Sequence, residues 1–244
     1  MIETAVSQDA ERAVLASIAG AERRTEPFPN WRLSELLPEA LARTLAALPI
    51  CPVDLGGRSG RRELHNDQRA YFAGETLRRH RAARLVAELF QSPHIIQALM
   101  LLTGALLVGT YLRIEYAIDL DGFWLEPHTD LGVKAFTMLF QLGQAGQEGL
   151  GTDLYFCPGG WAETVPFNWN SALVFVPSDR SWHGVEPRPI RAPRRSIIVN
   201  YVTEDWRDRD QLAFPRRPVR GTLDGMDPGL RRDESASRLS SGAG

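Results

Sequence analysis

Lysine is almost missing from this sequence. Lys134 is the single one in 244 residues, and arginine supplies every other basic side chain. With alanine abundant beside it, that skew reads as the codon bias of a GC-rich genome rather than as a binding surface. Cysteine is nearly as scarce. Cys51 and Cys157 stand too far apart for a CxxC or other zinc pattern, and both are expected to be buried small apolar residues rather than a disulfide. Excess charge of either sign is lacking too: the formal net charge is −2, so no overall field favours nucleic acid or an anionic membrane. Nor is there an unbroken apolar run. Ile95–Leu112 comes nearest, but Gln97, Thr103, Gly104, Gly109 and Thr110 interrupt it, whereas a membrane span needs about 20 cleaner residues. It reads instead as a buried helix end followed by a buried strand. The opening Met-Ile-Glu-Thr has neither the basic start nor the apolar run of a secretion signal. A cytoplasmic protein with no nucleic-acid and no membrane partner is the expectation.

What is present is an ordinary globular composition, 43% apolar and 24% charged, which argues against wholesale disorder. The length favours one large domain over two small ones. Residues 1–104 read as a helical lead-in. Ala10–Ala19 carries apolar residues at helical spacing, with Asp9 available as a cap. Pro38, with Ser34 upstream, introduces Glu39–Leu48, which stops at Pro49. Cys51–Arg61 is a Gly/Pro/Arg loop. Thr76–Phe90 is a further amphipathic helix, and Ser92-Pro93 opens another that runs to Leu102.

The pattern changes after Gly104. Short apolar runs now alternate with Gly, Pro, Asn and Asp turns. Leu106–Ala117 is followed by the turn Asp119-Leu120-Asp121-Gly122, then by Phe123–Pro127 and Lys134–Leu142. Leu150–Phe156, Trp161–Val165, Ser171–Val176, Trp182–Glu186 and Arg195–Val202 complete the series. Phe136, Met138 and Phe140 alternate as a core-facing strand requires. Strands of this number after a helical lead-in predict a mainly β (α+β) fold. Its core, over 105–206, is a double-stranded β-helix of jelly-roll or cupin-like type with N-terminal flanking helices. Residues 1–206 form a single domain, and 207–244 read as a partly flexible C-terminal extension.

Chemistry enters with the histidines. His65, His80 and His94 lie in the helical region amid arginines or beside proline and read as exposed or capping residues. His128 differs. It stands in Leu125-Glu126-Pro127-His128-Thr129-Asp130, directly after a strand, and residues two apart in an extended segment point to the same side. His128 and Asp130 can therefore converge on one metal ion, with His183, at the edge of a later strand, as the candidate third ligand. Two imidazoles and one carboxylate suit Fe(II) and leave positions open for dioxygen and a chelating co-substrate. His-x-Asp alone is a weak signal. It strengthens because a second histidine follows, and because Arg194 and Arg195 then precede the strand Ser196-Ile197-Ile198-Val199-Asn200-Tyr201. A guanidinium there can pair with a distal carboxylate.

Pro127-His128-Thr129-Asp130, Gly151-Thr152-Asp153-Leu154-Tyr155-Phe156, Trp182-His183-Gly184-Val185 and Arg194-Arg195-Ser196 together resemble the 2-oxoglutarate and Fe(II)-dependent dioxygenase superfamily, in its prolyl-hydroxylase-like bacterial branch. The resemblance covers roughly Gly109–Tyr201 and does not reach the first hundred residues or the tail. It implies iron on His128, Asp130 and His183. It also implies 2-oxoglutarate with its far carboxylate on an arginine two residues before a small residue, which favours Arg194, with Ser196 on the same face, over Arg195. The reaction implied is hydroxylation with release of succinate and CO2 and with O2 as co-substrate. Asp130 keeps the carboxylate that related halogenases replace, so halogenation is disfavoured. Desaturation, ring closure and epimerisation stay open.

Weaker candidates surround this set. Tyr111 and Tyr116 either donate to 2-oxoglutarate or pack in the core, and Arg113 and Glu115 share a strand face that either reaches the pocket or is a surface pair. Lys134, the sole lysine, follows Asp130 closely. Trp124, Trp161 and Trp182 either line a substrate pocket or pack. The expected substrate is a small molecule of bacterial secondary metabolism, an amino acid or natural-product intermediate. A peptidyl or protein hydroxylase is the alternative within the superfamily. Outside it stands a non-catalytic cupin-type binding protein, which would have no need of Arg194.

Overall fold

Every second residue of three long segments is apolar, and that period sets the architecture. The computed structural model describes residues 2–52, 69–130 and 132–221, with the backbone alone for 2–6. In chain order the elements are α1 (Ile2–Ala19), β1 (Glu22–Arg24), β2 (Asn30–Leu33), α2 (Glu39–Ala46), β3 (Ala70–Tyr71), α3 (Gly74–Arg79), α4 (Arg81–Leu89) and α5 (Pro93–Thr103). There follow β4 (Tyr111–Asp119), β5 (Leu125–His128), β6 (Lys134–Leu142), β7 (Thr152–Tyr155), β8 (Trp161–Val165), β9 (Trp169–Phe175), β10 (Trp182–Val185) and β11 (Arg194–Val202). They form a seven-stranded sheet, β1-β2-β9-β6-β11-β4-β3, facing a four-stranded sheet, β5-β10-β7-β8. All named pairings are antiparallel. This is the expected β-rich jelly roll, a double-stranded β-helix with helices packed on one side.

Side chains alternate across a sheet. The larger sheet turns one set toward the helices: Leu112, Ile114, Tyr116 and Ile118 of β4, Phe136, Met138 and Phe140 of β6, Ile197, Val199 and Tyr201 of β11. They pack with α4 (buried Ala82, Ala83, Val86, Ala87, Leu89) and α5 (buried Ile95, Ile96, Leu99, Met100) in one continuous core. The opposite set is largely polar: Arg113, Glu115 and Asp119 of β4, Thr137 and Gln141 of β6, Arg194, Ser196 and Asn200 of β11. All are buried. One strand thus serves the hydrophobic core on one face and a polar interior on the other.

The lead-in departs from an all-helical reading. β1, β2 and β3 join the edges of the larger sheet through β9 and β4; at two to four residues each they are too short for a period to show. α1 runs from Ile2, so Asp9 lies inside the helix, exposed and 3.4 Å from Arg12, and does not cap it. Thr76–Phe90 is two helices, broken at His80, whose backbone is extended (φ −116°, ψ 102°). A continuous helix would carry Arg81 and Arg84 onto the face of buried Leu77; the break lets Ala82, Ala83 and Val86 face inward instead. α5 starts at Pro93 and ends at Gly104, whose φ of 76° suits glycine. Among the described residues no single helix is long and apolar enough to cross a membrane. Both cysteines are free and exposed, which corrects the expectation of burial. Cys157 sits in the β7–β8 turn before Pro158-Gly159 and Cys51 just after α2, where neither sheet nor helix covers them. His65, most of the loop Cys51–Arg61 and the tail from Thr222 lie outside the described residues.

Gly151 enters β7 so closely that an added Cβ would lie 1.6 Å from the carbonyl oxygen of Val165 on β8. Gly151→Ala should therefore lower stability by about 3 kcal/mol through forced separation of the two strands. Urea unfolding against the parent protein measures this, and an unchanged midpoint would contradict the contact.

Candidate metal centre

His128 of β5 and His183 of β10 are direct cross-strand partners, with ring centroids 4.4 Å apart. Residues so opposed have Cβ atoms only about 5 Å apart, so the pairing by itself brings two imidazoles to one point. Each ring places Nδ1 2.9 Å from a carbonyl oxygen two residues earlier, Glu126 O for His128 and Ser181 O for His183. A carbonyl only accepts, so Nδ1 is the donor, and in the neutral ring Nε2 then carries the lone pair. Asp130 is buried two residues beyond His128. One potential ligand atom from each of His128, Asp130 and His183 lies within 4.8 Å of the other two. Two neutral imidazoles and a carboxylate grouped in this way fit Fe(II).

The Asp130 carboxylate is held on both oxygens. Lys134 Nζ donates to Oδ1 at 2.8 Å and Thr137 Oγ1 to Oδ2 at 2.6 Å. Thr137 accepts from Asn200 Nδ2 at 3.0 Å, and Asn200 Oδ1 accepts from Arg113 Nη1 at 3.2 Å. A buried chain of hydrogen bonds thus crosses β6, β11 and β4 to fix the Asp130 carboxylate. The protein's one lysine stands in that chain, and its chemistry explains the choice. An ammonium touches one oxygen as a point charge, whereas an arginine fork would take both and cover the edge a metal needs.

Register on the other side of β10 is fixed by Asp153 of β7, which is fully buried. It accepts from Glu186 N at 2.7 Å and from both terminal nitrogens of Arg188 at 2.8 and 2.5 Å. Burial works to raise the Asp153 carboxyl, but the Arg188 fork and the other donors outweigh it and hold the group below the usual carboxylate range. The segment leaving His183 is thereby tied to the β7–β8 hairpin.

The three metal-ligand candidates open on a cavity that also holds Arg194 and Ser196. Arg194 is buried. Its Nε donates to Leu150 O at 2.7 Å and its Nη1 to Asp119 Oδ2 at 2.6 Å, and the guanidinium carbon lies 4.4 Å from the centre of the Phe167 ring. Those contacts leave Nη2 for a ligand. Phe123, Leu125 and Val185 give the cavity an apolar wall.

Other predicted residues go elsewhere. Tyr116 and Arg195 point to the helix side of the sheet, one residue out of phase with the cavity. The Tyr116 phenol donates to Leu45 O at 2.8 Å and stacks on Phe72. Burial pushes its pKa up to about 12, with Arg195 opposing. The expectation that these two help hold a co-substrate is corrected by strand parity. Tyr111 packs beside the Arg209 guanidinium, and Trp124, Trp161 and Trp182 do not line the cavity. Arg113 and Glu115 form a buried pair rather than a surface one, 3.0 Å apart, and Glu115 lines the cavity. Sequence reasoning missed Arg69, Asp119, Thr137 and Asn200. Asp119, read there as a turn residue, instead ends β4 opposite Arg194. The polar alternation of β4, β6 and β11 was the available signal for it, for Thr137 and for Asn200; nothing in the pattern marks Arg69.

No protein-family profile matches this chain, and no curated protein matches it by sequence. Solved structures do resemble it. A prolyl-4-hydroxylase of Pseudomonas putida aligns with a TM-score of 0.52 at 17% identity, over 79% of this chain and 98% of the other. A prolyl hydroxylase of Trichoplax adhaerens, solved with a peptide fragment of the hypoxia inducible factor oxygen degradation domain, aligns at 0.53 and 13%, over 84% and 94%. A prolyl 4-hydroxylase of Phytophthora capsici gives 0.53 and 14%, over 81% of this chain and 65% of the other. At these identities the likeness is one of fold, the double-stranded β-helix of the prolyl hydroxylases.

Burial works to raise the Asp119 carboxyl, but Arg69 and Arg194 outweigh it and hold it below its ordinary value. A depressed folded pKa contributes stability that is present above the unfolded value of about 3.9 and is lost as pH falls through the folded one. The unfolding midpoint should therefore drop on the acid side, and Asp119→Asn should show a shallower acid limb. Denaturant titrations across pH measure both; parallel curves for the two proteins would refute the assignment.

Proposed function

We propose that this chain is an Fe(II)- and 2-oxoglutarate-dependent oxygenase that hydroxylates a small molecule, an amino acid or a natural-product intermediate. One observation carries the reading. His128, Asp130 and His183 present three ligand atoms within 4.8 Å, each imidazole oriented through Nδ1, on a cavity that also contains Arg194 and Ser196. Bound iron would supply the redox chemistry by which R–H, 2-oxoglutarate and O2 become R–OH, succinate and CO2, one oxygen atom entering each organic product.

The protein's share is positioning. His128, Asp130 and His183 hold the metal on one side. Lys134 and Thr137 keep Asp130 aimed, and with a hydrogen bond on each oxygen they restrain it from wrapping the metal through both. Arg194 Nη2 and the Ser196 hydroxyl bind the distal carboxylate of the co-substrate, a charge-assisted pairing of the kind guanidinium geometry favours. Phe123, Leu125 and Val185 exclude water beside the reacting bond. Asp130 fills the position a halide would need, which supports hydroxylation over halogenation. A walled cavity crowded with charged side chains supports a small substrate. A peptide substrate is the second reading, favoured by the peptide carried by one of the fold neighbours. A cupin-type binding protein would leave Arg194, buried and facing the cavity, without a purpose.

Anaerobic Fe(II) titration with and without 2-oxoglutarate tests the reading. A visible metal-to-ligand charge-transfer band should appear only when both are present and should vanish in His183→Ala. No band in the intact protein, or one that survives that substitution, would sink the oxygenase assignment. Succinate release over amino acids, glycosides and a proline peptide then separates the two substrate readings.

A further inference from the structure

The cavity that holds Arg194 is lined by a second guanidinium, that of Arg69. Among the described residues the charged side chains that line it are Arg69, Lys134 and Arg194 and the carboxylates of Glu115, Asp119 and Asp130, while Arg113 pairs with Glu115 from outside the lining. Arg69 is the member that no motif accounts for. It immediately precedes the edge strand β3, its side chain is 10% exposed, and it lines the cavity. Its Nη1 donates to Asp119 Oδ1 at 2.8 Å, while Arg194 Nη1 donates to the other oxygen, Oδ2, at 2.6 Å. Asp119 is therefore a shared anchor that holds two guanidiniums side by side. The Arg69 Nε–H is buried and has no hydrogen-bond acceptor, although Glu115 Oε1 is 3.4 Å away. A buried charged donor left open on a cavity is a position for a ligand oxygen.

Resting on the co-substrate reading above, we infer that Arg69 is a second binding residue for the distal carboxylate of 2-oxoglutarate, forming with Arg194 a two-guanidinium receptor anchored on Asp119. The incoming carboxylate supplies the acceptor that Arg69 Nε lacks. Arg69 then sets selectivity for a 2-oxo acid that carries a second carboxylate over one that ends in a methyl group. Neither its charge nor its fork would matter to the keto-acid end of the molecule.

The test compares 2-oxoglutarate with 2-oxobutyrate, which lacks the distal carboxylate, by anaerobic titration of the charge-transfer band on the Fe(II) protein. Arg69→Met should weaken 2-oxoglutarate by about tenfold or more, as expected for loss of one charge-assisted hydrogen bond. Its affinity for 2-oxobutyrate should stay within about twofold of the parent, well under one such bond. Arg69→Lys, which keeps the charge but loses the fork, should fall between. If Arg69→Met does not fold, Arg69→Lys carries the test alone, with a several-fold loss confined to 2-oxoglutarate as the expected result. Equal losses for both acids, or no loss for either, overturn the inference. A parent protein that shows no band with 2-oxoglutarate would instead overturn the oxygenase reading itself, so the two failures are told apart.

Discussion

The register of β10 against β5 is the constraint on which the site depends. His183 faces His128 across that pair, and a slip of one residue would turn the imidazole to the outside of the sheet. Two features hold the alignment. Gly184 lets the strands approach, since a Cβ there would lie 2.7 Å from Leu125 O. Asp153 binds the chain just beyond β10 through Glu186 N and the Arg188 fork. A four-residue strand has little stability of its own, so the precision of the ligand set is borrowed from a buried carboxylate on the neighbouring hairpin. The backbone carbonyls of Glu126 and Ser181 then set the rotation of each ring. Position, register and tautomer are thus fixed by separate contacts.

A second constraint is electrostatic. Placing Arg69, Arg113, Lys134 and Arg194 inside a sandwich with Glu115, Asp119 and Asp130 is costly in desolvation, and apolar residues of the same size would stabilise the fold as well or better. The larger sheet makes the arrangement possible because its two faces are independent. Ile114, Tyr116, Ile197 and Val199 secure the sheet to the helices, while Arg113, Glu115, Ser196 and Asn200, one residue away, turn charged or polar groups to the other face. Burial lowers the pKa of Arg194, and the carboxylate of Asp119 opposes this.

Much of this was legible in the sequence. The strands after Gly104 were visible from alternation and turn residues, because period two is imposed by geometry rather than by tertiary context. His128 and Asp130 were legible for the same reason, two residues apart on extended chain. What resisted was whatever depends on parity across strands or on contacts distant in sequence. Arg194 is favoured over Arg195 only by the resemblance, and it is the sheet that assigns one to the cavity and the other to the side of Tyr116. Asp119 is an ordinary turn residue until β11 lies beside it. β3 and Arg69 follow a stretch without periodicity, and only pairing with β4 gives them a place. The split of α3 from α4 was hidden because each half is helical by propensity, the conflict lying in which face Arg81 would occupy.

The burial of Lys134 has a consequence for handling the molecule. Its ammonium is 3% exposed and engaged with Asp130, and no other lysine exists in the chain. The folded surface consequently offers no ε-amino group. Acylating dyes, bifunctional succinimidyl cross-linkers and isopeptide-forming tags directed at lysine have no side-chain target here unless the interior opens. Uptake of such a reagent at that position would report exposure of the Asp130 carboxylate, which turns the rarest residue of the sequence into a built-in sensor of the integrity of the cavity it lines.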